Sequence, residues 1–450
     1  MKPCRMLTVA LIGGVFMCAD SASAEKHAYQ RQHRLAPKNV IIMISDGCGY
    51  NQVDAASYYQ NGRTGTQAYE HFPTRLAMST YTYKGSYDPS AAWEDFDYVK
   101  RGATDSAAAA TAMSTGKKTY RGAIGVDVNG QPVEHIIEKF ENLGKSTGVV
   151  TSVQLSHATS AGFVAHNISR YNYAEIAREM ILASAVDVIM GCGHPWYDKD
   201  GNRRGTPKTY KYVGNASTWN NLVAGIAGGD ADGDGLEDPW TLIQTRSEFL
   251  ALARGATPDR VVGVAQVHKT LQQERGGDGN ALPYDVPRIA SVPTLEEMTR
   301  AALNVLDNNA DGFLLMVEGG AVDWAASDNQ SGRLIEEEID FNRSVEAVVE
   351  WVQKNSNWGE TLVIVTGDHE TGYLNGPGSD PGWNPLVSNG ASKLPGMEWH
   401  SGSHTNQLIP FYARGSGAHL FKKKADEFDP VRGPYIDNIE IGEVLFDLFE

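Results

Sequence analysis

The chain has 450 residues, enough for a large buried core, and it carries a formal charge of -16, with 55 acidic against 39 basic residues. This acidic balance, with no long lysine or arginine run, argues against nucleic acid or an anionic membrane as a partner. A soluble enzyme is the simplest remaining class, and α/β enzymes of this length often form one domain with insertions.

The first 24 residues are predicted to be a signal peptide. Met6–Met17 is an apolar segment too short to span a bilayer, basic residues precede it, and Ser21–Ala24 has the small side chains of a cleavage site. An uncleaved anchor or a lipid-modified Cys18 is the alternative. We therefore expect residues 25–450 to form a single-domain exported protein, either periplasmic or secreted.

The mature chain keeps only two cysteines, Cys48 and Cys192, and so has no disulfide framework. Both cysteines follow predicted strands. A bridge between them in an oxidising compartment and two separate buried thiols are equally compatible with their spacing.

Five short hydrophobic runs predict parallel strands buried on both faces, because they are β-branched and do not alternate with polar residues. The runs are Val40–Ile44, Val149–Val153, Val186–Met190, Phe313–Val317 and Leu362–Val365. Together with the helical segments between them, they predict an α/β fold with a mostly parallel central sheet and helices on both faces. Residues 195–290, rich in glycine, aspartate and polar side chains, are predicted to be an insertion on one edge of the sheet.

Side chains that bind metals follow each of these runs. They are Asp46, His157 with Thr159, His194, Glu318, and Asp368 with His369. In open parallel sheets, ligands collect outside the carboxyl ends of the strands. Oxygen and nitrogen ligands that converge there predict a catalytic centre with several metal ions.

An alanine run predicts a helix that begins at a serine. In Thr104–Met113, Asp105 stands where an N-cap is typical, and Ser106 falls in the first turn of the helix. The free backbone N–H groups and the helix dipole favour an alkoxide and a bound phosphate at that end. Ser106 is therefore a candidate nucleophile for attack on phosphorus, with an ordinary capped helix as the alternative.

Seven short motifs in this order are highly specific as a set. They are Ser45–Gly49, Thr104–Ala108, His157–Ala161, Ala165–Arg170, Val317–Asp323, Thr366–Gly372 and His404–Asn406. Through them the chain resembles the bacterial alkaline phosphatases over most of residues 38–191 and 293–415. The resemblance implies an alkaline phosphatase-like fold, hydrolysis of phosphate monoesters and a homodimer.

The resemblance also implies roles for individual residues. Ser106 would be the nucleophile and become phosphoserine during turnover. One zinc ion, held by Asp46, Asp368 and His369, would lower the pKa of the serine hydroxyl so that it attacks as an alkoxide. Arg170 would bind two phosphate oxygens at once through its guanidinium fork.

A second zinc ion, held by Asp323 and His404, would stabilise the leaving alkoxide and then deliver hydroxide to the phosphoserine. The chain departs from the family here, because the zinc-binding histidine expected four residues after Asp323 is replaced by Ser327. Serine is a poor zinc ligand, so water, Asp328 or a different, oxygen-preferring metal is expected to fill that place. We expect this second site to bind metal more weakly than the first.

A magnesium ion would be bound through Asp46, Thr159 and Glu318, whose hydroxyl and carboxylate oxygens suit a hard cation. His157 would lie near it and act through water.

The combination of His157 with Trp324 resembles a subgroup of the family that includes marine and cold-adapted bacterial enzymes. Trp324 is a candidate for the pocket rim, with a core aromatic as the alternative. The other histidines considered, His166, His194, His400 and His419, are interpreted as structural. A role in supporting the metal ligands is the alternative for His166 and His400.

A separate acidic stretch resembles a calcium loop. Asp230, Asp232 and Asp234 alternate with small residues around a glycine turn, and Asp238 follows. Thr241 stands at the twelfth position, where such a loop carries a bidentate glutamate. Calcium binding and a solvated acidic loop both remain open.

The sequence therefore predicts a metal-dependent phosphate monoester hydrolase, with two alternatives. One is another enzyme of the same superfamily, a phosphodiesterase or a sulfatase. Ala107–Ala110 lacks the proline and arginine of the sulfatase motif, and Arg170 together with Glu318 favours a monoester over a diester. The other alternative, motivated by Ser327, is a non-catalytic exported protein that binds metal or phosphate.

Overall fold

The computed structural model of the protein describes residues 36–231 and 235–450. The predicted signal peptide lies outside the described residues, as do Asp232 and Asp234 of the acidic stretch. None of the described helices is both long and apolar enough to cross a membrane.

Strands and helices alternate along most of the described chain. The strands are β1 Asn39–Ser45, β2 Thr74–Ser79, β3 Ser146–Gln154, β4 Val188–Cys192, β5 Gly228–Gly229, β6 Asp238–Pro239, β7 Thr241–Ile243, β8 Val261–Val264, β9 Phe313–Gly319, β10 Thr361–Gly367, β11 Glu370–Thr371, β12 Leu374–Asn375, β13 Glu398–Trp399, β14 His404–Thr405, β15 Ile409–Gly415, β16 Glu427–Asp429 and β17 Gly433–Asp437. The α-helices are α1 Tyr50–Asn61, α2 Pro89–Glu94, α3 Ser106–Thr115, α4 Ile136–Asn142, α5 Ala158–Val164, α6 Tyr173–Leu182, α7 Ala216–Val223, α8 Arg246–Leu252, α9 Leu295–Leu306, α10 Ala321–Ser327, α11 Ser331–Asn355, α12 Phe421–Lys424 and α13 Ile439–Leu448.

An 11-stranded sheet forms the centre of the molecule, in the order β16-β17-β2-β15-β10-β1-β9-β3-β4-β8-β7. The seven neighbouring strands from β10 to β7 all pair in parallel. Antiparallel pairs occur where β15 meets β10 and β2 and where β16 meets β17. The prediction of a mostly parallel sheet is confirmed.

Strand β1 lies between β9 and β10, and its side chains point alternately into two hydrophobic cores. Ile42 and Ile44 lie in one core together with residues of α3 and α13. Ile41 and Met43 lie in the other together with residues of α9 and α11. Helices therefore cover both faces of the sheet, which explains why the hydrophobic runs do not alternate with polar residues.

The region predicted to be an insertion, residues 195–290, supplies β7 and β8 at one edge of the central sheet. The strand Val261–Val264 pairs in parallel with β4, and Thr241–Ile243 pairs with Val261–Val264 on its outer side. The sequence pattern missed these strands because each is at most four residues long. The edge strands are thus continuous with the sheet rather than appended to it.

Helix α3 begins at Ser106, as the alanine run predicted, with Asp105 as its N-cap. The Asp105 side chain accepts a hydrogen bond from the Ala108 backbone N–H at 3.2 Å. Every residue of α3 is buried, and small side chains let α5 approach closely. A Cβ atom on Gly162 of α5 would lie 2.7 Å from the Cβ of Ala110, so glycine is required for this contact.

Replacing Gly162 with valine should destabilise the protein by about 1 to 3 kcal/mol, because the added side chain forces α5 away from α3. The free energy of unfolding from urea titration measures this loss. The control is Gly205→Ala, since a Cβ at Gly205 would meet no atom within 4 Å. Equal stability of Gly162→Val and the unmodified protein would contradict the close approach of the two helices.

Candidate active site

Three buried carboxylates meet at the carboxyl ends of three adjacent strands. Asp46 directly follows β1, Asp368 directly follows β10, and Glu318 is the penultimate residue of β9. The register places Ser45 at the end of β1 opposite both Gly319 and Gly367, so the three chains turn away at the same level. The sequence expectation that these carboxylates converge at one edge of the sheet agrees with this geometry.

The turn after β1 depends on a glycine. Gly47 has a φ of +75°, and a Cβ on it would lie 2.7 Å from the Cα of Asp323. The absence of a side chain lets the first turn of α10, which carries Asp323, pack directly against the turn. The Gly47 backbone N–H donates a hydrogen bond to Asp368 Oδ1 at 3.0 Å, which orients that carboxylate.

Asp46, Asp368 and His369 form what we call the first cluster. One ligand atom from each lies within 4.8 Å of the others, and all three residues are buried. His369 Nε2 lies 3.2 Å from Asp368 Oδ2 and 3.6 Å from Asp46 Oδ1. Ser106 Oγ lies 3.3 Å from the same Nε2 atom, so the candidate nucleophile sits directly beside this cluster.

Asp323, His369 and His404 form the second cluster, which shares His369 with the first. His404 Nε2 lies 3.4 Å from Asp323 Oδ1, and the rings of the two histidines stack with centroids 3.7 Å apart. Thr371 Oγ1 donates a hydrogen bond to Asp323 Oδ1 at 2.6 Å. The Thr104 carbonyl oxygen lies 3.0 Å from His404 Nδ1 and holds the ring in place.

A third group, the oxygen site, consists of Thr159, Glu318 and Asp46. Within the part of the chain that the structure describes, the Thr159 hydroxyl, both Glu318 oxygens and Asp46 Oδ1 are buried and make no hydrogen bond of ordinary geometry. Buried oxygens without a partner are costly unless something compensates them. This donor set fits a hard divalent cation, and the mixed carboxylate and imidazole sets of the first and second clusters fit zinc.

The electrostatics of the site point the same way. Burial, followed by repulsion from Asp368, raises the pKa of Asp46 well above its ordinary value. Burial also raises the pKa of Glu318 to about 7 and that of Asp368 to about 6. His369 is held neutral because burial lowers its pKa well below the ordinary value. At alkaline pH the carboxylates of the first cluster and the oxygen site are therefore negatively charged, and the neutral His369 does not offset that charge.

The second cluster is closer to balance. Burial opposes the charge on His404, but its hydrogen bond to Asp323 raises the histidine pKa to about 8. Burial also opposes ionisation of Asp323, yet the nearby His404 lowers the pKa of that carboxyl below its ordinary value. The pair thus forms an internal ion pair that a bound metal ion would have to displace.

Arg170 and Ser106 are joined through Asp105, a link that the sequence did not reveal. The Arg170 Nη1 atom donates to Asp105 Oδ2 at 2.9 Å, while Asp105 Oδ1 accepts from the N–H groups of Ala108 and Gly122. Burial opposes ionisation of Asp105, but the Arg170 guanidinium holds the pKa of the carboxyl below its ordinary value. One carboxylate, that of Asp105, therefore both caps α3 and holds the Arg170 guanidinium in place.

His157 contacts Trp324 and Tyr173. Its ring centroid is 5.7 Å from that of Trp324 and 6.1 Å from that of Tyr173. Burial and the positive charge of Arg170 lower the pKa of His157 to about 3, so the ring is neutral. The Lys269 ammonium lies 5.9 Å from the Trp324 ring centroid. The half-buried indole thus lies between the histidine and a cationic side chain.

Ser327 and Asp328 stand at the end of α10, one turn beyond Asp323. Ser327 is half-buried, whereas Asp328 is exposed and its Oδ2 lies 3.4 Å from Gln330 Nε2. Asp328 is not part of any group of three potential ligands among the described residues.

Other residues singled out in the sequence lie elsewhere. His194 Nε2 pairs with Gln244 Oε1 at 2.8 Å, which agrees with its interpretation as a structural histidine. Cys48 and Cys192 are both buried free thiols, so no bridge joins them. In the acidic stretch, Asp230 accepts a hydrogen bond from the Gly235 N–H and Asp238 from the Ala231 N–H.

Sequence reasoning missed two residues that position the site, Thr104 and Thr371, as well as the second role of Asp105. Thr371 lies in the motif Thr366–Gly372. Its hydroxyl, two residues after His369 on a short strand, could have indicated a role in positioning the site. The carbonyl of Thr104 had none, because any residue supplies the same backbone oxygen.

Comparison with known proteins identifies relatives of this chain. Residues 37–394 match a family model described as alkaline phosphatase. The chain is 32% identical to alkaline phosphatase 4 of Bacillus subtilis (strain 168) over 395 residues, which cover 86% of this chain and 73% of that protein. It is 30% identical to the alkaline phosphatase of Escherichia coli (strain K12) over 372 residues, which cover 74% of this chain and 70% of that protein.

Two solved structures share the fold. Alkaline phosphatase from the Antarctic bacterium TAB5 superposes with a TM-score of 0.62 at 24% identity, covering 92% of this chain and 98% of that one. A cold-active alkaline phosphatase from a psychrophilic Shewanella sp. superposes with a TM-score of 0.65 at 24% identity, covering 92% of this chain and 100% of that one. These similarities establish the architecture of the central sheet and its helices.

Removal of divalent metal should make the protein less stable as the pH rises. The pKa of Glu318 rises from 4.5 to about 7 on folding and that of Asp368 from 3.8 to about 6, so the folded chain binds more protons than the unfolded chain. The free energy of unfolding must then fall as the pH rises from about 4 to about 7. Urea titrations of chelator-treated protein across this range measure the slope.

The matched variant is Glu318→Gln, which has no proton to lose at this position and should show a shallower slope. Protein refilled with zinc and magnesium should show a smaller fall, because cations then compensate the ionised Glu318 and Asp368. A free energy of unfolding that rises with pH in the chelated protein would contradict the pKa directions given above.

Proposed function

The chain belongs to the alkaline phosphatase family, and on that premise we propose that it hydrolyses phosphate monoesters through a phosphoserine formed on Ser106. Membership in the family makes it a metal-dependent phosphatase. The observation that carries the residue assignment is the position of Ser106 Oγ, 3.3 Å from His369 Nε2 and beside buried, poorly compensated carboxylates.

The proposed metals follow from the donor sets. Zinc would be held by Asp46, Asp368 and His369 in the first cluster, and by Asp323 and His404 in the second. Magnesium would be held by the oxygen site, with His157 nearby. When bound, these ions would lower the pKa of hydroxyl groups beside them and stabilise developing negative charge on oxygen.

The chain's own groups supply the rest of the chemistry. Ser106 Oγ loses its proton to solvent and attacks phosphorus, an O–P bond forms, and the bond to the leaving oxygen breaks on the opposite side. The leaving alkoxide takes up a proton from solvent and departs as the alcohol. The N-terminus of α3 presents backbone N–H groups and a positive dipole end to the transferred phosphoryl group. In the second step, water attacks phosphorus on the phosphoserine, inorganic phosphate leaves and the Ser106 hydroxyl is restored.

Arg170 is proposed to hold the equatorial phosphate oxygens. A guanidinium carries five N–H donors, so it can bind Asp105 through Nη1 and phosphate through its remaining donors at the same time. Because Asp105 also caps α3, the phosphate-binding group and the nucleophile keep a fixed relative position. If the site binds only the phosphoryl group of its substrate, we expect it to hydrolyse phosphate monoesters of diverse alcohols.

Three further proposals rest on the sequence and on the resemblance. Export follows from the apolar segment Met6–Met17, a homodimer from the resemblance to the family, and calcium binding from the acidic residues Asp230 to Asp238. Trp324 is proposed to form the pocket rim, which its contact with His157 supports.

Ser106→Ala should lower kcat for p-nitrophenyl phosphate by at least about 1000-fold, because no other group can form the covalent intermediate. The control is Ser114→Ala in the same helix, which should keep the activity. Unmodified protein that turned over bis-p-nitrophenyl phosphate faster than the monoester would indicate a phosphodiesterase. Turnover of neither ester with excess zinc and magnesium would leave a metal- or phosphate-binding protein as the function.

Ser327→His should strengthen metal binding at the second cluster, since it restores an imidazole one helical turn after Asp323. Zinc retained after dialysis, measured by elemental analysis, should be higher in Ser327→His than in the unmodified chain. Ser327→Ala controls for the substitution itself and should match the unmodified chain. Equal and tight retention in all three proteins would show that the second site is not weakened.

A further inference from the structure

A separate group of potential metal ligands consists of His135, Glu138 and His166, which we call the peripheral cluster. It shares no residue with the first cluster, the second cluster or the oxygen site. One ligand atom of each residue lies within 4.8 Å of the others. His135 precedes α4, Glu138 lies in its first turn, and His166 follows α5, so two separate segments of the chain meet here.

His135 is fully buried, and neither of its ring nitrogens makes a hydrogen bond of ordinary geometry to any described residue. The ring edge that carries Nε2 packs against Gly125, where a Cβ would lie 2.3 Å from Nε2. The other nitrogen, Nδ1, faces Glu138 Oε2 at 3.3 Å. A buried imidazole without a well-formed hydrogen bond is costly, and its Nδ1 atom is aimed at a carboxylate.

His166 is oriented by a second carboxylate, Glu179. Its Nδ1 lies 3.2 Å from Glu179 Oε1, so the proton on Nδ1 is donated there. The Nε2 N–H donates to the Val133 carbonyl oxygen at 3.1 Å, and the same atom lies 3.8 Å from Glu138 Oε2. A metal ion bound here would take the place of the Nε2 proton, as it does whenever a histidine becomes a ligand. A carboxylate on the far nitrogen of a histidine is also the usual support of a metal ligand.

The separations suit a small cation. Ligand atoms bound to zinc at about 2.0 to 2.1 Å in a tetrahedron are about 3.3 to 3.4 Å apart. His135 Nδ1 and Glu138 Oε2 are separated by 3.3 Å, and Glu138 Oε2 and His166 Nε2 by 3.8 Å. Two imidazoles in a set of three favour zinc over magnesium or calcium, which prefer oxygen.

A cation can reach the cluster through a cavity of about 880 Å³ that Glu138 and His166 help to line. Most of the charged residues around this cavity are acidic, namely Glu141, Glu179, Asp187, Asp230, Asp238 and Asp259, with Lys145 and Arg260 as the basic ones. Net negative potential in a concave site raises the local concentration of cations.

From this geometry we propose that the peripheral cluster binds one zinc ion through His135 Nδ1, Glu138 Oε2 and His166 Nε2. Water completes the tetrahedron on the side of the cavity. The ion is additional to those assigned to the active site, and its binding does not depend on the proposed reaction.

The zinc ion would cross-link the segment that carries Arg170. His166 stands four residues before Arg170, whose backbone N–H donates to the Gly122 carbonyl at 2.7 Å. Ile124 and Asn167 exchange two backbone hydrogen bonds between the same segments, at 2.9 and 2.8 Å. Metal at the peripheral cluster would add a tie from His166 to the start of α4 and restrict the movement of the segment that carries Arg170.

The test is zinc content per chain, measured by elemental analysis after metal loading and gel filtration. Unmodified protein should hold one more zinc ion than His135→Asn and than Glu138→Gln. The matched control is Glu141→Gln, one helical turn further along α4 and lining the same cavity but outside the cluster; it should retain the full zinc content. Glu179→Gln should weaken zinc binding about 10- to 100-fold, measured by competition with a chelating dye.

Circular dichroism checks folding, and Glu138→Gln decides the matter if His135→Asn does not fold, because Glu138 is partly exposed. Equal zinc content in folded Glu138→Gln and unmodified protein would overturn the proposal. Zinc that is displaced by millimolar magnesium or calcium would overturn it as well, since the two imidazoles would then not be ligands. Activity toward phosphate esters does not enter these readouts, so failure here leaves the catalytic proposal untouched.

Discussion

Crowding of buried carboxylates at the ends of three parallel strands is the constraint on which the rest of the structure depends. Asp46, Glu318 and Asp368 are fully buried at the ends of β1, β9 and β10, and burial raises the pKa of each. Ionised groups in such a place must be compensated, by protons at low pH or by cations when protons are scarce. This arrangement fits the metal dependence of the family.

Helix α3 places the Ser106 hydroxyl at this charged edge. Its alanines let it lie deep in one core, with α5 close by through Gly162, and its first residue is Ser106. Asp105 then joins the helix end to Arg170 through one carboxylate. If Ser106 is the nucleophile and Arg170 binds the phosphate, as proposed, the shared carboxylate leaves little reorganisation to be made when a phosphate arrives. Packing in the core therefore serves the geometry of the site directly.

The strand ends and helix α3 could be predicted because the patterns that indicate them lie within a few neighbouring residues. Buried β-branched runs located β1, β9 and β10, and the residues directly after them located Asp46 and Asp368. The same rule applied to β4 brings His194 into consideration, yet β4 lies three places from β1 in the sheet and His194 pairs with Gln244. Strand order is set by pairing between distant segments, and a short hydrophobic run does not indicate which strand will lie next to it.

By itself the sequence determined the chemical inventory of the site, since residue type, helix capping and hydrophobic runs are properties of neighbouring residues. Only the tertiary structure decided the partners: Asp105 with Arg170, Thr371 against Asp323 and His369, and the two histidines of the peripheral cluster with one glutamate. Several of these partners are tens of residues apart in the chain. They meet because the order of parallel strands and the close packing of α3 on α5 fix which loops become neighbours.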